Sequence, residues 1–95
     1  MVVGLGIITF RLNDCRSLKS KRKIVKSVIS RLQNNFNASV AEVDSNDIYD
    51  EAIIGFAFVG NDKAVVNSKI DKAFSFADGL GLAEIVNTEM ELINI

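Results

Sequence analysis

Lys19, Lys23 and Lys26 recur at intervals of four and three, so on a helix their ammonium groups fall within about 60° of one another. Arg22 flanks this row and Arg16 lies just before it. Such a face can neutralise phosphates, and the free N–H groups and dipole of a helix N-terminus add to its pull on anions. The chemistry on offer is electrostatic capture of RNA or another phosphate-bearing partner; the plainer reading is a solvated helix face. Lys21 differs from its neighbours, because it points towards the apolar side of the helix, where it can snorkel or pair with an acid.

The net charge of −1 conceals how these residues are placed. Eight of the eleven basic residues lie between Arg11 and Arg31, whereas eleven of the twelve acids lie at or beyond Glu42. An anion-facing site should therefore sit on one early element. Other chemistries have weaker support. Asp44, Asp47, Asp50 and Glu51 cluster between two apolar runs, where carboxylates can bind a divalent cation or act as acid and base. Their spacing matches no calcium loop, and turn-forming Asp and Asn explain most of the cluster. Gly4-Leu5-Gly6 lacks the third glycine and the following helix of a dinucleotide fingerprint; glycines in a strand more often mark a bulge or a close approach. Cys15 is the only cysteine and no histidine is present, which removes internal disulfides, the common zinc sites and a base for thiol catalysis. The chain reads as non-enzymatic and free of cofactors.

Ninety-five residues with 48% hydrophobic content suit a single domain over 1–95 that buries roughly 60–65% of its unfolded surface. The run Val2–Phe10 is too short to span a bilayer and carries no basic leader or cleavage site, so no membrane partner is expected and a cytoplasmic location is the default.

The elements follow from periodicity. Val2–Leu12 reads as a buried strand. Ser17 can cap a helix running to about Asn35, in which Leu18, Val25, Val28, Ile29, Leu32 and Phe36 form the buried stripe. Ala38–Asp44 and Glu51–Val59 read as the next strands. Asn61 can cap a second helix, with Val66, Ile70, Ala73, Phe74 and Ala77 on its buried face and Gly79 and Gly81 at its end. In the last strand Val86, Thr88, Met90 and Leu92 alternate with Asn87, Glu89 and Glu91. The order βαββαβ with right-handed crossovers gives an α+β ferredoxin-like sandwich: a four-stranded antiparallel sheet with both helices on one face. The first and third strands are central yet apolar on both faces, so the open face is expected to meet another subunit, most simply in a dimer. Phe56 and Phe58 share one face and could stack bases, but packing is their more usual role. The first strand lacks the basic-aromatic signature of an RNA-recognition sheet, which leaves the helix as the expected RNA contact.

Ser17-Leu18-Lys19-Ser20-Lys21-Arg22, Phe36–Asp44 and Gly60-Asn61-Asp62 together resemble the bacterial YlxP-like proteins, a domain family of unknown function, over nearly the whole chain. The resemblance implies the same ferredoxin-like fold. The family's genes commonly neighbour those of translation and ribosome-maturation factors, which implies a role near ribosomal RNA or a ribosome-associated protein. Lys19, Lys21 and Arg22 match the family run; Arg16, Lys23 and Lys26 join them as anion-binding candidates. The chain departs from the family at Ser20, where relatives often carry the glutamate of a capping box. It departs again at Tyr49-Asp50-Glu51, a more acidic loop than usual. Two other readings compete with RNA binding: an assembly module in which basic and acidic halves meet, and a metal-dependent enzyme or regulator using Asp44 and Asp47.

Overall fold

A computed structural model describes residues Met1–Ile95. The elements are β1 (Val2–Arg11), α1 (Leu18–Phe36), β2 (Ser39–Asp44), β3 (Glu51–Gly60), α2 (Lys63–Gly79) and β4 (Glu84–Asn94). The strands form one sheet in the order β2-β3-β1-β4, with every neighbouring pair antiparallel. This is the expected ferredoxin-like sandwich.

Strand alternation sorts the two sheet faces. Val2, Ile8 and Phe10 of β1 and Ala52, Ile54, Phe56 and Phe58 of β3 are buried beneath the helices. There they meet Val25, Val28 and Leu32 of α1 and Val66, Ile70, Ala73 and Ala77 of α2 in one core. Phe56 and Phe58 are stacked within that core, 5.7 Å apart, so neither is available to a base. α1 packs on β2 and α2, and α2 packs on β1, β3 and β4.

The glycines of β1 mark close approach. A Cβ on Gly4 would lie 2.6 Å from Val66 of α2, and one on Gly6 would lie 2.2 Å from the Phe56 ring. The missing side chains let helix and ring sit directly on the strand.

The helix ends follow local chemistry. Ser17 accepts the Ser20 N–H at 3.1 Å, and Asn37 closes α1 in the left-handed region (φ 49°) with its N–H on Gln33 O. The cap of α2 is Asp62, not Asn61: its carboxylate accepts from Ala64 N–H at 2.9 Å and Val65 N–H at 3.3 Å. A carboxylate suits the positive helix end better than an amide does. In β4 the pairing with β1 shifts between Thr9 and Phe10. That irregularity takes Val86 out of the alternation expected of it.

Gly6→Ala should push the Phe56 ring out of its place and destabilise the fold by about 1–3 kcal/mol, a typical overpacking cost. Urea unfolding of the two proteins measures this.

Candidate functional site

α1 carries both the core stripe and the basic row, so burying the stripe aims the row outward. Lys19, Arg22, Lys23 and Lys26 are exposed along α1, and Arg16 is exposed in the loop before it. The first turn of the helix contains no acid, so nothing there offsets the positive end of its dipole.

The fold contains two ion pairs, Lys21–Glu42 and Arg11–Glu84. None of the five exposed cations has an acid within ion-pairing reach, although acids outnumber bases in the chain by twelve to eleven. The acidic half therefore does not neutralise the row by direct contact.

Lys21 leaves the anion-binding set. It is 2% exposed, and its Nζ donates to Ser45 O at 2.5 Å and Ile48 O at 2.6 Å. The same Nζ lies 2.9 Å from Glu42 Oε2. That oxygen takes no aligned hydrogen bond, so the close ammonium is its compensation in a site largely removed from water. With all three directions occupied, the ammonium has none left for a phosphate.

What Lys21 organises is the β2–β3 connection. Ser45 adopts a left-handed backbone (φ 60°), which is unfavourable for a side chain with a Cβ. Its N–H donates to Asp44 Oδ1 at 2.8 Å and its hydroxyl to Glu51 Oε2 at 2.7 Å. Leu12 N–H donates to Asp50 O at 2.9 Å, tying the end of β1 to the same loop. Asp44 thus serves the turn, and no group of three or more acidic, cysteine or histidine ligands forms around it or Asp47. Beside the loop, Arg11, Asn13, Arg16, Tyr49, Asp50 and Glu51 surround an open cleft of about 390 Å³. It carries as many acids as arginines, two of each, which leaves it less attractive to anions than α1 itself. Cys15 is buried, its Sγ–H donating to Ser17 O at 3.3 Å.

Architecture and surface together define an α+β ferredoxin-like sandwich that carries an unneutralised basic row on its first helix. Within that class the chain belongs to the family described as "Protein of unknown function (DUF503)", whose model matches residues 3–90. It is 30% identical over 90 residues to the uncharacterized protein YlxP of Bacillus subtilis (strain 168), covering 95% of this chain and 98% of that one. The resemblance drawn from Ser17–Arg22 is thereby established as membership. Among solved structures, the structural-genomics protein YJCS aligns with a TM-score of 0.54 at 10% identity, over 97% of this chain and 99% of that one. The de novo designed protein Foldit4 aligns at 0.51 and 13% identity, over 100% and 99%. At such identities the likeness concerns the fold alone. No helix is long and apolar enough to cross a membrane.

Lys21→Met removes one ammonium from three oxygens and leaves Glu42 unpaired, so it should cost about 3–5 kcal/mol. Lys19→Met, on the open side of the helix, should stay within about 0.5 kcal/mol of the parent. Chemical denaturation of the pair distinguishes the structural lysine from the surface one.

Proposed function

We propose that this chain is a non-enzymatic module that binds ribosomal RNA, or a ribonucleoprotein built on it, through Arg16, Lys19, Arg22, Lys23 and Lys26. It would act in the cytoplasm during translation or ribosome maturation. The observation that carries this reading is the exposed row of cations without acidic partners. Solvated ammonium and guanidinium groups at a helix N-terminal half neutralise phosphates and release counterions, which gives affinity without reading bases. The gene neighbourhood of YlxP-like proteins supports RNA as the polyanion. The sheet is a poor alternative surface, because its paired aromatics Phe56 and Phe58 are in the core.

Five phosphate contacts predict affinity for ribosomal RNA fragments that falls roughly a hundredfold or more as salt rises from about 50 to 200 mM. Replacing Lys19, Lys23 and Lys26 together by Glu should abolish most binding across sequences alike, whereas Lys72→Glu on α2 should change it little. Fluorescence anisotropy against salt reads both. Salt-independent affinity, or a triple variant that binds like the parent, overturns the proposal.

A further inference from the structure

We infer that a second copy of this chain covers the open sheet face, with the two-fold axis parallel to the strands, so that β1 lies over the partner's β3 and β4 over its β2.

The face away from the helices is apolar at its centre: Val3, Leu5 and Ile7 on β1, and Ile53, Ala57 and Val59 on β3. Ile7 is 37% and Val59 63% exposed. The strands bring no aromatic ring to this face, and their one cation, Arg11, lies at its end between Glu51 and Glu84. Strands of 10, 10 and 11 residues with a fourth of 6 make a face of roughly 600 Å², and two such faces together reach the lower end of the roughly 1,200–2,000 Å² of stable protein interfaces.

Size pattern selects the axis. Across the β1–β3 ladder Leu5 is beside Ala57, Ile7 beside Gly55, and Thr9 beside Ile53. A two-fold parallel to the strands sets each β1 residue over the partner's β3 residue of the same level, large over small three times in succession. The small residues already form a trough of about 350 Å³, walled by Val43 and Ser39. An axis across the strands would set β1 over β1 and β3 over β3, crowding one strip and leaving the other void.

Charge selects the same axis independently. Glu89 and Glu91 of β4 point to the open face beside Ile7 and Leu5. The transverse axis would bring these carboxylates against their own copies, which is repulsive. The parallel axis sets them over β2, where Ala41, level with Gly55, is small and uncharged.

The test is solution mass. Sedimentation should give twice the 10.4 kDa chain mass, with Ile7→Lys reduced to one chain while its circular dichroism and melting are retained, since the new ammonium faces Glu89 within the protomer. Mixed Ala41→Cys and Glu89→Cys chains should then form a disulfide under mild oxidation, and Glu89→Cys alone should not; native Cys15 is buried. A monomeric parent chain, meaning a face left for another protein, overturns the inference. So does a dimeric Ile7→Lys variant, or self-crosslinking by Glu89→Cys.

Discussion

The Lys21 ammonium is the point on which the geometry of this fold converges. It joins three separate pieces of chain: helix α1, which carries it; strand β2, through Glu42; and the β2–β3 connection, through the carbonyls of Ser45 and Ile48. An apolar residue at this place would fill the same volume and leave two carbonyls without donors, and unpaired buried polar groups are costly. The lysine stem continues the stripe of Val25 and Val28 while its head serves the loop. Because Ser45 holds a left-handed backbone, the loop has few alternative conformations that would offer both carbonyls to one ammonium. Helix rotation is fixed with it, and the outward aim of Lys19, Lys23 and Lys26 is a consequence of where Lys21 is anchored.

Segregation of charge along the chain becomes segregation in space because of topology. The basic helix lies on the β2 side of the sandwich, where Glu42 is the acid turned inward, and that acid is taken by Lys21. Glu89 and Glu91 belong to β4, at the opposite edge, and point to the opposite face of the sheet. Asp62 is engaged at the start of α2, while Asp44 and Glu51 are engaged by Ser45. Acids that outnumber the bases thus leave the row on α1 unpaired.

Much of this was legible in the residues. Periodicities of 3.6 and 2 gave the element order, and the angular position of Lys21 turned it to the apolar side, with snorkelling or pairing with an acid as its two options. Its partners were not legible, since they depend on which strand α1 packs against and on the path of a turn. Matching the family run placed Lys21 with the surface cations; helix angle was the better guide. The cap of α2 was missed by one position, because Asn61 and Asp62 are both good caps and only the carboxylate reaches two N–H groups. Val86 escaped its alternation through a pairing irregularity that no local pattern signals.

The sheet's two faces divide the demands on this short chain. Its helix-covered side is buried against a layer whose outer surface is charged, and its other side is apolar with acids at one margin. Because the sheet separates them, a partner on the open face cannot touch α1, and a polyanion on α1 cannot touch the open strands. The separation also explains why β1 and β3 can be apolar on both faces without making the basic row sticky: the hydrophobic surface points away from it. Occupying one face leaves the other free, so assembly and anion capture can coexist without competing for the same residues. The β2–β3 loop reaches both layers, and it is held by Lys21 from one side and by the end of β1, through Leu12, from the other. Its three anchors leave that loop little freedom to transmit movement from one face to the other.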